Sequence, residues 1–314
     1  MKKIEFKSML VSIILVLIIY YFYTPALNIH AIEFWIFIIV ALCIYGASTS
    51  YSTLLGKKFK PEKVGYLGVA VALIVAGVLV TDLFTSKIFH ASRYASRIEV
   101  ENVKFNNKTL HEVDFSKTPI IDRKSTVKLG DKVMGEIPEY VSQFEVSDDY
   151  TQISYKNSVY RVTPLEYASF FKYLTNSKNG IPAYITVNST NGKAEIVKLK
   201  DLGLNGMKYV PSAILNHNLN RKLQLSYPTS IFGSPSFEVD EKGHPWYVCT
   251  TYTYFGVSNK KKVTGAVLFD PITGKSKKYD KDKVPKWVDR VYPEELIMTE
   301  IDENGSLQDG FFNS

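Results

Sequence analysis

Three uncharged or nearly uncharged apolar stretches within the first 84 residues constrain this chain more than anything that follows them. They are 8–24 (SMLVSIILVLIIYYFYT), 34–51 and 64–84, the last carrying one acid, Asp82, near its end. At about 1.5 Å of helical rise per residue, each is long enough to cross a hydrocarbon core of about 30 Å. The spacing therefore predicts three N-terminal transmembrane helices. A cleaved signal peptide is the rival reading of the first stretch, because Lys2, Lys3 and Lys7 precede it. Tyr20, Tyr21, Phe22 and Tyr23 place an aromatic belt where a small-residue cleavage site belongs, which favours a retained helix.

Charge then orients the helices. Lys2, Lys3 and Lys7 flank the first, and Lys57, Lys58, Lys60 and Lys63 fill the link between the second and third, whereas the link PALNIHAIE has no Lys or Arg. The positive-inside rule puts the N-terminus and the lysine link in the cytoplasm and the remaining 230 or so residues outside it, against the counter-signal of Lys87, Arg93 and Arg97. Gly65, Gly68, Ala72 and Ala76 share one face of the third helix, a surface suited to packing on the other two. Asp82 reads as a boundary residue within reach of water.

The net charge of +7 divides unevenly: residues 1–83 hold 7 Lys and Arg against 4 Asp and Glu, and the remainder 31 against 27. That slight excess fits an anionic surface or polymer, and no basic stripe with interleaved aromatics points to nucleic acid. Cys43 falls inside the second apolar stretch and Cys249 in the soluble part, so the two cannot pair within one chain. An exported domain without disulfides fits a Gram-positive surface, where the sequons at Asn107 and Asn188 are chance matches.

Beyond the helices, residues 85–132 are polar and without clear periodicity, a membrane-proximal stalk. Two α+β modules follow, at 133–208 and 209–314. In the first, VSQFEV, TQISY and SVYRVT form a meander, then Thr163 as N-cap and Pro164 at the first turn open a helix through Tyr167, Phe170, Phe171 and Leu174. A hairpin turns at Asn191 and Gly192. In the second, Leu215, Leu219 and Leu223 line a helix closed by Pro228. Strands SFEVD, PWYVCTTYTYF and TGAVLFD follow, joined by a turn at Lys242 and Gly243 and by a loop holding Lys260, Lys261 and Lys262, with a last strand near Lys278. VPKWVDRVYPEELI reads as a short amphipathic helix presenting Trp287, Val288, Val291 and Tyr292 and broken at Pro293. The fold class is thus a membrane protein with an α+β extracytoplasmic domain of antiparallel hairpin sheets, helices on one face.

The runs FEVDEKGHPWYV and GAVLFDPITGKSKKY resemble PepSY-type domains, small extracytoplasmic modules in which a helix packs on a hairpin sheet. RVTPLEY, NGIPAYI, GMKYVPS and VPKWVDRVYP are similar to uncharacterised multi-span envelope proteins of low-GC Gram-positive bacteria, sometimes labelled CvpA-like. The resemblance implies a non-catalytic binding or regulatory module working on an envelope protein such as a protease, a cell-wall hydrolase or an export component. It also implies a soluble part that runs on past Gly310–Ser314, so that this chain reads as a shortened form or a split gene product.

No catalytic motif competes with that reading. HExxH, GxSxG and CxxC are absent, and His30, His90, His111, His217 and His244 lack partners at ligand or triad spacing. Asp302, Asn304, Ser306 and Asp309 alternate like a calcium loop, but Gly305 falls too early in it, and a turn at Asn304 and Gly305 is the expectation. No metal, cofactor or catalytic residue is assigned. Candidate partner-binding residues are Trp246, Tyr252 and Tyr254, which strict alternation places on one face of the aromatic strand with Val248 and Thr250. That face is a stacking platform if open and core if covered. Two alternatives stay: a membrane-bound enzyme on an envelope polymer using Glu238, Asp240 and Asp270, or an accessory subunit of a transport or export system using Asp82. Oligomeric state is left open.

Overall fold

The computed structural model describes residues 2–54, 61–104, 106, 114 and 118–313. Lys57, Lys58, Lys60, the Asn107 sequon and His111 lie outside the described residues. Three long helices lead the chain: α1 (Lys2–Tyr23), α2 (Ile32–Leu54) and α3 (Pro61–Phe84). Two segments, Ile32–Ser50 and Val64–Phe84, are long and apolar enough to cross a membrane, and the apolar run of α1 is Met9–Tyr23. Almost none of the side chains in the two long segments is buried by protein. Ser12 and Ser48 share a 2.6 Å hydroxyl hydrogen bond between α1 and α2, and Tyr20 meets Phe37 at 5.7 Å. On α3 the half-buried residues with described side chains are Leu67, Ala70, Val71, Ile74, Val78 and, near its end, Asp82. The expected small-residue face is reversed: Gly65, Gly68, Ala72 and Ala76 point away from the other helices, because the larger side chains fill the contact with α2.

The remainder is an α+β domain of two five-stranded antiparallel sheets. Sheet one contains β1 (Phe144–Val146), β2 (Thr151–Tyr155), β3 (Ser158–Tyr167), β4 (Ala183–Asn188) and β5 (Ala194–Lys198). β1 and β2 pair successive halves of one edge of β3, and β4 and β5 continue from its other edge. The expected helix from Thr163 is therefore a strand, and the helix, α7 (Phe170–Asn176), begins only after Ser169, which caps Lys172 N. Pro164 is tolerated because its carbonyl accepts from Ser147 N in the gap between β1 and β2. A strand residue's N and C=O face the same neighbour, so the missing donor falls in that gap and not on β4.

Helix α5 (Arg123–Gly135), where no periodicity was expected, covers one face of sheet one, with Arg161 donating to Ile121 O and Thr126 Oγ1, both at 3.1 Å, and is followed by the single turn α6 (Pro138–Val141). The other face meets sheet two, which contains β6 (Ile231–Phe232), β7 (Ser236–Val239), β8 (Pro245–Phe255), β9 (Asn259–Phe269) and β10 (Ser276–Asp280). The long aromatic β8 is central, flanked by β9 on one edge and by β6 and β7 on the other. Tyr184 packs on Phe237 at 5.7 Å and Phe237 on Tyr247 at 5.5 Å, so one hydrophobic core runs through both sheets. Leu219 and Leu223 of α8 (Leu219–Ser226) join it, while Leu215 lies in a separate 3-10 turn and is exposed.

Three further expectations change. Lys260, Lys261 and Lys262 begin β9 and are not the loop, which is shortened to 256–258. Residues 284–293 are irregular, with Trp287, Val288 and Val291 covering the outer face of sheet two, and the helix, α9 (Glu294–Leu307), starts after Pro293. Asn304 and Gly305 lie inside α9, not in a turn; a neighbouring helix, α4 (Lys87–Ala95), takes Asn304 Nδ2 on Ala95 O at 2.8 Å.

Candidate functional site

The α+β domain is joined to the ends of all three long helices. In the α1–α2 link, Leu27 N donates to Pro228 O and Asn28 Nδ2 to Thr229 O. His30 Nδ1 donates to Gly256 O at 2.6 Å. At the end of α3, Asp82 Oδ1 accepts from Val257 N and Ser258 N at 3.2 Å each, and Asn259 Nδ2 bonds Asp82 O and Thr85 Oγ1. Gly256 has φ +83, and a Cβ there would lie 2.2 Å from Thr85 Oγ1, so the β8–β9 turn can approach α3 this closely only with glycine. Asp82, read from sequence as a boundary residue, is the side chain that clamps the turn.

This clamp places the lysine run of β9 beside α4 and α9. Between them and the edge of sheet two lies a cleft of about 650 Å³. Its wall holds six cationic side chains, Lys87, Arg97, Arg123, Lys260, Lys261 and Arg290, against three carboxylates, Asp149, Glu295 and Glu303. Arg97 is buried, with Glu300 and Glu303 each at 2.8 Å, and it also donates to Lys261 O. Lys87 reaches Glu303 at 2.9 Å. Lys260 Nζ donates to Arg93 O, and Lys261 Nζ sits 3.9 Å above the Tyr252 ring. Burial, followed by the charges of Arg93, Arg97 and Lys262, holds the Lys260 ammonium below its usual pKa, with Glu303 opposing. Burial likewise lowers Lys261, against Glu295 and Glu33. Positive charge is crowded here beyond what the local acids neutralise, an arrangement suited to an anion.

The three candidate partner-binding residues are not brought together on an open face. The register shifts between Thr251 and Tyr252 and between Thr253 and Phe255 put their extra residues on β9, so β8 keeps its alternation and the face of Trp246, Val248, Thr250, Tyr252 and Tyr254 is covered as a whole. Tyr252 lines the cleft but is 5% exposed, packed on Ile231, Val263 and Leu296. Tyr254 is half-buried beside Phe34 of α2. Trp246 sits at the far end of β8, its Nε1 donating to Asp240 Oδ2 at 3.2 Å and its ring 6.1 Å from Trp287. Between them, Val248 and Thr250 are buried, with Thr250 Oγ1 donating to Val291 O. The covered reading of this face is the one the structure shows.

The carboxylates of the enzyme alternative are engaged elsewhere and line neither this cleft nor a second, open hollow of about 550 Å³ beside Tyr155 and Trp287. Asp240 accepts from Lys242 N and His244 N across the β7–β8 turn. Asp270 accepts from Ile272 N, Thr273 N and Thr273 Oγ1, and lies 3.4 Å from His244 Nε2. Burial raises the Asp270 carboxyl, but the nearby His244 ring, the Thr273 hydroxyl and two backbone N–H groups outweigh it and hold the pKa at about 2. His244 thus has an acidic partner 26 residues away, which its sequence neighbourhood did not announce. Glu238 is fully buried and accepts from Asp289 N at 2.9 Å and Arg290 N at 3.0 Å, fastening the irregular segment to sheet two. Among the described residues no three His, Cys, Asp or Glu side chains form a metal site. The cleft residues carry no signal in the sequence because they come from 87–97, 123, 149–151, 233–236, 250–252, 258–261 and 290–303, segments with no shared motif. The sequence matches no family model and no curated protein, and the fold matches no solved structure.

Proposed function

We propose that this chain is a membrane-anchored, extracytoplasmic binding module that holds an anionic component of the cell envelope in the cationic cleft. α1, α2 and α3 are read as three spans with the N-terminus in the cytoplasm. Supporting this, the α1–α2 link and the end of α3 both contact the α+β domain, so they lie on one side with it. The lysine-rich ends of α1 and α3 then lie on the other, as charge asymmetry requires. The observation that carries the binding reading is the excess of cations around Lys260 and Lys261, clamped by Asp82 within one turn of the outer end of α3. Glu303, an acid in the cleft, is tied to Arg97 and Lys87, which favours charge organisation over acid–base chemistry.

The test uses the full-length protein in zwitterionic nanodiscs with poly(glycerol phosphate) as probe. Binding that weakens as salt rises, and that is lost in the Lys260→Glu/Lys261→Glu variant with its melting temperature preserved, is the expected result. Absence of binding, or binding indifferent to the charge reversal, refutes the cleft.

A further inference from the structure

The short helix α7 leaves three large apolar side chains in water: Phe170 is 55% exposed, Phe171 74% and Leu174 54%. At 100° per residue they span a contiguous arc of about 100°, adjacent to the inward-facing Tyr173. Nothing in the α+β core requires that face. Tyr173, the buried residue of the helix, anchors it by bonding Ile214 O and His217 Nδ1 at 3.1 Å each, and Asn176 Nδ2 donates to Gln143 Oε1 at 3.1 Å.

The loop that receives Tyr173 is itself bound to the outer end of α1. Asn216 Oδ1 accepts from Tyr21 OH at 2.7 Å, Arg221 Nε donates to Tyr21 O at 2.8 Å, and the Arg221 guanidinium lies 4.7 and 5.4 Å from the Tyr21 and Phe22 rings. Leu215 in that loop and Phe22 on α1 are themselves exposed, so exposed apolar side chains stand at each step of the chain of contacts that runs from the aromatic end of α1 through the loop to α7.

From this continuity we infer that the α7 face inserts into the outer leaflet of the same bilayer that α1–α3 cross, as a second, interfacial foothold of the domain. The inference rests on the reading of α1–α3 as spans. An apolar arc beside the aromatic belt of a spanning helix meets acyl chains just below the headgroups, and Lys172 on the same helix and Lys178 just past its end reach back to lipid phosphates. With the link at Asn28 and the clamp at Asp82, the foothold would set the tilt of the domain and the height of the cleft above the membrane.

The experiment places a Phe171→Trp variant of the full chain in nanodiscs made with brominated phosphatidylcholine and compares its emission with that of the unsubstituted protein. Trp35, near the start of α2, is the internal control, whereas Trp246 and Trp287, 6.1 Å apart at the opposite end of β8 from the clamped turn, report the unquenched background. Quenching of Trp35 together with the added tryptophan supports the foothold, and Leu174→Trp repeats the test from the same face. Quenching of Trp35 with an added emission that is red-shifted and unquenched refutes the foothold while leaving the spans intact. An added emission that is blue-shifted yet unquenched means a protein surface, a second copy included, covers α7, and also refutes it. Absence of quenching at Trp35 overturns the span reading and the foothold with it.

Discussion

Replacing Glu238 by Gln isolates the cost of one buried charge. Burial raises the Glu238 carboxyl to a pKa of about 7 from 4.5, against the opposing bonds from Asp289 N and Arg290 N. A group raised in this way stabilises the fold fully below about pH 4.5, and that contribution is lost as pH rises through about 7. At about 1.4 kcal/mol per pH unit, the whole difference is about 3 kcal/mol, of which about 2.5 kcal/mol falls between pH 5 and pH 8. Glu238→Gln removes this dependence but offers one acceptor to two N–H donors, a loss of about 1 kcal/mol that offsets the small relief already present at pH 5. The depressed Asp270 titrates below this window, and the shift of His217, lowered by burial and by Lys208, is common to both proteins. Thermal unfolding of the full-length protein in detergent, followed by tryptophan emission, is the assay. With roughly 2–4 °C per kcal/mol for a domain of this size, the melting temperature of the variant relative to the parent is expected to rise by roughly 5–10 °C between pH 5 and pH 8. Parallel curves across that range refute the argument, since they would mean that Glu238 ionises at the same pH folded and unfolded.

Two more perturbations test the packing around the cleft. Tyr252→Ala empties a buried site among Ile231, Val263 and Leu296 and is expected to cost about 3–5 kcal/mol by thermal unfolding; an unchanged melting temperature would mark the ring as a binding surface and not core. Glu303→Ala leaves Arg97 with Glu300 alone and Lys87 with no carboxylate, and is expected to cost about 3 kcal/mol and to speed proteolysis at the α4–α9 contact; a neutral effect would show that this ion-pair network adds nothing to the docking of α9.

Legibility followed the range of the interactions. The hairpin turns at Asn191–Gly192, Lys242–Gly243 and Pro271–Gly274 were readable because each is set by an Asn or Asp capping its own next few N–H groups, as Asn188, Asp240 and Asp270 do. The Thr163–Leu174 segment was misread because Thr-Pro-x-Glu satisfies local rules for a helix start, while β1, β2 and β4 offer the same backbone two ladders at once. VPKWVDRVYP shows the same competition. Its apolar spacing suits a helix, but Glu238 takes two of its N–H groups and sheet two takes its side chains.

By itself the sequence determined the long apolar helices, their charge asymmetry, most strands and the hairpin turns, all governed by contacts within a few residues or by composition over about twenty. Only the tertiary structure decided that both sides of β8 are covered, one by the core shared with sheet one and the other by residues 284–293. It also decided that Asp82 clamps a turn 175 residues away and that Arg97, Lys260, Lys261 and Glu303 share one cleft. Those contacts join segments far apart in the chain, and their energies depend on burial and on neighbouring charges that exist only once the domain has closed onto the helix ends.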